Sequence, residues 1–404
     1  MKNPVKQKIS FSTFLMSILC AFFLDIKPVN LALVNSGLWG NESGLLNTFF
    51  PVTIGIIIIY GFHKYGISTF KKNINGWLLI AFLLLYQMFS SRFVGQPHTA
   101  FPLFLGFTVA GLMVPLLSSV DVCTMLKAVM LFPIFSVLRL GQVFAIELDS
   151  IDMDLSYGFV IPITACIIYF VYFFKKEKGF NKYISILAFV INAIFLWYLL
   201  LFGSRGPIFG LLCLMAFLLV IKYNKNGGVR VNKSKWAMTL FIGLIVVFFF
   251  GPLMSAFSGI LSDFGINMHF VDKMIELQAS GNLSNGRDKL APLAIQGFWN
   301  SPVWGNGFDR FHANTGMLYP HNFILQILYD GGLLLFIILI IPAIKEVKFK
   351  YRHCSMAEYA LTTFLLFASV PGALFSQNLW MIGPLWFFAG YLKSNSYINK
   401  QIIR

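Results

Sequence analysis

Residues 183–203 read YISILAFVINAIFLWYLLLFG, a run with no acidic or basic side chain, and the octet before it, KKEKGFNK (175–182), is crowded with lysine. A helix needs about 20 apolar residues to cross the ~30 Å hydrocarbon core of a bilayer, and this run supplies them. On its far side stands Gly203-Ser204-Arg205-Gly206-Pro207, after which a second apolar run carries the chain back to Lys222. Two spans joined by a tight turn, with lysine at both distal ends, set the pattern for the rest of the chain.

Working outward, further apolar runs give about twelve expected spans: 10–26, 45–62, 77–90, 100–119, 128–147, 156–174, 183–203, 207–222, 236–256, 322–344, 359–376 and 378–392. The 404 residues are 57% hydrophobic and 12% charged, too little polar surface to cover a water-soluble globule of that size. The period-2 alternation of a membrane barrel is missing, so the expected fold is an all-α polytopic membrane protein, a single integral membrane domain over 1–404. Most of the 31 Lys and Arg fall in every second connection, and the acids gather in the others. The positive-inside rule then places both termini in the cytoplasm. The net charge of +15 is thereby a signature of orientation, and nucleic acid is not an expected partner. The first apolar run lacks a small-residue cleavage site and is expected to stay as a span.

One connection is long. Residues 257–321 form an expected periplasmic loop between spans nine and ten, in which Met268, Val271, Ile275 and Gln278, then Leu290, Leu293, Ala294, Ile295, Phe298 and Trp299, recur at helical spacing. Two interfacial helices separated by glycine-rich turns are expected there. The cysteines (Cys20, Cys123, Cys166, Cys213, Cys354) avoid this loop and show no C-x-x-C spacing, which argues against a disulfide framework or a cysteine zinc site. No Walker sequence, H-E-x-x-H or strand-led G-x-G-x-x-G is present, and neither a metal nor a cofactor is expected.

Three short motifs converge on the outer surface. Arg205 lies at the outward amino-terminus of span eight, where free N–H groups and the helix dipole favour an anion. Ser284-Asn285-Gly286-Arg287-Asp288 opens the second loop helix, where a basic side chain opposes the dipole and is better explained by an external anion. Tyr319-Pro320-His321-Asn322 begins span ten, and Asn322, Gln326 and Asp330 follow at i, i+4 and i+8 as a polar stripe expected to face the bundle or a wet cavity. Singly, Arg205 also reads as an arginine reaching for headgroups, Arg287 as a partner of Asp288 or Asp309, and His321 as a capped structural residue. Arg139, Arg310 and His312 join the candidates by position on the outer side or in its spans.

Together these residues resemble a known family. S-R-G at an outer span start, G-R opening a periplasmic helix, GFWNSPVWGNGF from Gly297 to Phe308, and HNFILQILYDGG from His321 to Gly332 are similar to the O-antigen ligase and polymerase family of bacterial polysaccharide assembly. The resemblance implies a GT-C-like, metal-independent inverting glycosyltransferase of the bacterial inner membrane, with its active site on the periplasmic side. It implies an undecaprenyl-pyrophosphate-linked glycan as donor, and as acceptor a lipid-linked repeat for a polymerase or lipid A core for a ligase. A chain-length regulator would be a further partner. His321 would be the general base, and Arg205 and Arg287 would hold the pyrophosphate; Asn322, Asp330, Arg139, Arg310 and His312 have only positional support. A flippase of lipid-linked oligosaccharide is the reading from another class, but its ionisable residues should line the midplane.

Overall fold

The computed structural model of the chain describes residues 9–35, 52–64, 71–94, 104–134, 153–224, 228–248, 250–265, 269–280, 287–308, 310–317, 319–352, 354–375 and 377–394. Among these, helices dominate: α1 (Phe11–Asn35), α2 (Val52–Lys64), α3 (Ile74–Val94), α4 (Phe104–Leu117, π-helical over Phe104–Val109), α5 (Val122–Leu131), α6 (Met153–Tyr172), α7 (Phe180–Phe202) and α8 (Arg205–Val220). They continue as α9 (Lys233–Phe248), α10 (Phe250–Asp263), α11 (His269–Ala279), α12 (Leu290–Asn300), α13 (Arg310–Thr315), α14 (Phe323–Arg352), α15 (Met356–Phe375) and α16 (Gly383–Lys393). Phe180–Leu201, Phe323–Arg352 and Met356–Leu374 are long and apolar enough to cross a membrane, and several shorter apolar helices accompany them. The chain is an α-helical membrane protein.

Apolar side chains gain little from facing each other rather than lipid, so close backbone approach through small residues has to hold such a bundle together. Helices α4 and α16 show it. A Cβ on Gly111 would lie 2.8 Å from the Cβ of Trp386, and one on Gly390 would lie 2.5 Å from the Leu112 carbonyl oxygen. Around this pair, α1, α5, α6 and α15 bury Met16, Phe23, Met125, Ile161, Phe364 and Phe387 in one core. A second core joins α3, α4, α14 and α16 through Ile80, Phe104, Ile327, Trp380 and Trp386.

The structure corrects several sequence expectations. The fifth expected span, 128–147, lies outside the described residues from 135 onward; the helix that enters it, α5, already starts at Val122, because the Asp121 carboxylate accepts the Thr124 N–H at 2.8 Å and so caps the helix. The chain is not purely α-helical, since Ile221–Tyr223 and Val229–Val231 form a short antiparallel hairpin, tied to α15 by the Tyr359 hydroxyl donating to the Ile221 carbonyl at 3.1 Å. Within the expected connection 257–321, α10 continues to Asp263. Among the described residues that stretch also holds α11, α12 and the short α13, where two helices were expected.

Span ten departs most. Expected as one run over 322–344, α14 extends to Arg352 and is broken at Gly332, whose φ of 61° and ψ of −159° are non-helical. The segment 301–308 fits into that break. The Leu333 and Leu334 N–H groups donate to the carbonyls of Pro302 and Val303 at 2.8 and 3.2 Å, while the Asn306 and Gly307 N–H groups donate to the carbonyls of Tyr329 and Asp330 at 2.8 and 2.9 Å. Four backbone groups beside the break, two N–H and two C=O, are thus taken by the loop.

Candidate functional site

Three helical amino-termini carry the sequence candidates. At the first, Ser204 is the extended N-cap of α8 (ψ 157°), its side chain makes no capping bond, and Arg205 is the first helical residue. The orphan N–H groups of the first turn therefore have no side-chain cap, a local arrangement suited to an anion. Arg205 donates from Nη1 to the Met274 sulfur on α11 at 3.5 Å, which holds the half-buried guanidinium against the loop.

At the second, Arg287 begins a 3₁₀ turn, Arg287–Lys289, that leads into α12. It is half-buried, and its charge acts on Arg205, so the structure brings these two like charges within electrostatic reach of each other. Holding two guanidinium groups close is unfavourable by itself, and a bound dianion would reverse the sign.

At the third, Pro320 precedes His321, and the Asn322 carbonyl oxygen of the side chain accepts the N–H groups of Ile324 and Leu325 at 3.0 and 3.2 Å to cap α14. His321 takes a φ of 53°, the left-handed region, and among the described non-glycine residues it is alone in doing so. For a side chain bearing a Cβ that conformation costs about 1 kcal/mol or more, and such outliers gather at functional sites. The His321 ring packs on Tyr319 with centroids 4.3 Å apart.

Helix α12 links the second terminus to the third. Leu290 at its start shares a small cluster with Leu325, one turn into α14, and Gly297 near its end lies against the Tyr329 ring. The two helices thus run side by side in one direction, and their amino-termini, with Arg287 and His321, stand at the same level.

Other candidates lie elsewhere. The stripe of Asn322, Gln326 and Asp330 does face the bundle, but each member has a structural use. Asn322 is the cap; Gln326 donates to the Asn378 side chain at 2.9 Å and accepts the Leu379 N–H at 2.9 Å. Asp330 is fully buried, accepts the Trp380 indole N–H at 2.7 Å, and its carbonyl accepts the Tyr86 hydroxyl. Arg310 is buried behind α14, where its charge reaches Tyr329. His312 is exposed on the same short helix, and Arg139 lies outside the described residues. Among the described residues no three His, Cys, Asp or Glu side chains come together as a metal cage. Sequence reasoning missed Met274, Trp380 and the loop-into-break joint; the Gly-Asn-Gly of 305–307 and the Gly331-Gly332 pair were the available signals.

Residues 187–340 match a family model described as O-antigen ligase. The matched stretch runs from α7 into α14 and contains Arg205, Arg287 and His321, and it supports assignment to the O-antigen ligase and polymerase family. No curated protein matches the chain.

Proposed function

We propose that this chain, with its central stretch assigned to the O-antigen ligase and polymerase family, is a membrane glycosyltransferase that polymerises lipid-linked glycan. It takes a glycan from undecaprenyl pyrophosphate and joins it to a sugar hydroxyl of another lipid-linked repeat. The observation that carries the reading is the mutual charge of Arg205 and Arg287 at two helix starts, one of them level with His321. A site with two guanidinium groups suits a leaving group that departs as pyrophosphate. In this reading His321 accepts the proton of the acceptor hydroxyl. The acceptor oxygen attacks the anomeric carbon, the bond from that carbon to the pyrophosphate oxygen breaks, and configuration inverts in the single displacement. The arginines supply the electrostatic stabilisation for which other phosphoryl-leaving sites use a divalent cation.

The same proposal has the chain cross the bacterial inner membrane about twelve times with both termini cytoplasmic, as one integral domain over 1–404, and has residues 257–321 on the periplasmic side. Its support is the distribution of Lys and Arg. A ligase that passes the glycan to lipid A core is the second reading, favoured by the description of the matching family. Purified chain in vesicles, given undecaprenyl-pyrophosphate-linked repeats alone, should release undecaprenyl pyrophosphate and build polymer. Product only after lipid A core is added makes the chain a ligase. Transbilayer movement of the donor without release of pyrophosphate makes it a flippase and removes the transferase reading.

A further inference from the structure

Helix α14 has a lipid-facing surface that changes owner partway along. Below the break at Gly332 it exposes Leu333, Ile337, Ile341 and Ile344 at intervals that make one apolar stripe. Above the break α14 exposes Ile324 near its start, and α12 and the loop 301–308, which pack on α14, add Ile295 (46% exposed), Trp299 (70%), Val303 (51%) and Trp304 (67%). On α12 the buried positions are Leu290, Ala294 and Gly297, which face α14, so Ile295 and Trp299 project from the opposite side.

The depth of this patch follows from the other end of α14. Its charged stretch begins at Lys345, with Glu346, Lys348, Lys350 and Arg352 beyond. A hydrocarbon core of ~30 Å takes about 20 helical residues, so counting back from Lys345 puts the opposite hydrocarbon boundary near Leu325. Gly332 then lies ~10 Å inside it, and with Gly332 goes the loop whose Pro302 and Val303 carbonyls bond the N–H groups of Leu333 and Leu334.

Irregular backbone is tolerated at such depth only when its polar groups are satisfied by protein. The loop carries many such bonds. Besides the four bonds to α14, the Gly305 N–H donates to the Ser301 carbonyl at 2.9 Å, the Asn306 side-chain amide donates to the carbonyls of Gly297 and Tyr329 at 2.8 and 3.1 Å, and the Tyr86 hydroxyl reaches the Trp304 carbonyl at 3.5 Å. A loop in water has no such need.

We infer that residues 290–308 are a re-entrant element: α12 descends into the bilayer beside α14, the loop turns in the break, and Ile295, Trp299, Val303 and Trp304 rest against lipid chains of the leaflet at the amino-terminal end of α14. With the loop ~10 Å inside the boundary, the Trp299 and Trp304 rings lie among the acyl chains, below the reach of a quencher dissolved in the water. The element anchors the amino-terminal turn of α12 relative to the membrane, and with it Arg287, so that the arginine stands at headgroup height.

The test uses the full chain in phosphatidylcholine vesicles and compares the wild type with Trp299→Phe/Trp304→Phe, substitutions at exposed positions that keep apolar surface. The difference in tryptophan emission between the two proteins belongs to these two rings. It should be quenched when the phosphatidylcholine carries brominated acyl chains and should be untouched by acrylamide in the water phase. Quenching by acrylamide alone would put the patch in water and overturn the inference. Quenching by neither would mean that a second copy of the chain covers the patch, which also overturns it.

Discussion

Gly332 and Val303 approach so closely that a Cβ on the glycine would lie 2.5 Å from the Val303 carbonyl oxygen. Gly332 also has a φ of 61°, so an added side chain meets both a strained backbone and an immovable neighbour. Gly332→Ala should therefore cost more than the ~1–2 kcal/mol of the left-handed conformation alone. The measurement is thermal denaturation in detergent, with a lowered midpoint expected for Gly332→Ala. A Gly259→Ala control, where nothing lies within 4 Å, should be close to wild type. An unchanged midpoint for Gly332→Ala would mean that the loop does not occupy the break.

Asp330 is expected to be a structural residue. Its carboxylate accepts the buried Trp380 indole N–H at 2.7 Å, an acceptor role that an amide oxygen can reproduce. Asp330→Asn should keep most of the transferase activity, whereas Asp330→Ala leaves the indole N–H unsatisfied and should lower stability by about 1–3 kcal/mol. Loss of turnover in the asparagine variant at normal stability would return Asp330 to the catalytic candidates.

That contrast marks how far the sequence could be read. Apolar runs such as 183–203 and 322–344 announce helices because lipid leaves no alternative, and structure supplies α7 and α14 where they stand. The loop helices were visible as periodic apolar positions. The break at Gly332 was not, because a Gly-Gly pair in an apolar run reads equally as close packing until the loop that fills the break is in place. The partner of Asp330 was hidden for the same reason: Trp380 is fifty residues away in sequence, and no local pattern links them. The electrostatic reach between Arg205 and Arg287 was expected only from both lying on one side of the membrane, and the contact of Arg205 with Met274 on α11 depends on tertiary packing.

Native thiols should be poor targets at neutral pH. Cys354, between α14 and α15, is buried, and burial pushes its thiol up to about 11, so the reactive thiolate is scarce until the pH rises well above neutrality. A cysteine introduced at exposed Ser280 should label with an impermeant thiol reagent in intact spheroplasts, and one at exposed Ser234 should not. Labelling at Ser234 alone would invert the proposed orientation.

Arg205 and Arg287 carry like charges that act on each other, so removing one relieves that repulsion even as it removes function. Arg287→Ala is expected to lose nearly all turnover. Arg287→Lys retains the charge but not the planar fork, and should keep part of the activity. Full activity in both alanine variants at normal expression would leave the pyrophosphate proposal without its arginines.

His321 combines a proposed chemical role with a backbone cost, and the two can be separated by substitution. His321→Ala keeps the Cβ in the left-handed conformation and removes the imidazole, so stability should stay near wild type while turnover falls about a hundredfold or more. His321→Gly removes the Cβ too. At φ 53° that change should relieve about 1 kcal/mol of strain and raise the thermal midpoint, while turnover stays as low as in the alanine variant. A side chain kept at a conformation that glycine would hold more easily is what a functional histidine predicts. If His321→Gly were both more stable and fully active, the histidine would have neither a structural nor a chemical reason to stand at the start of α14, and the general base would have to be sought elsewhere.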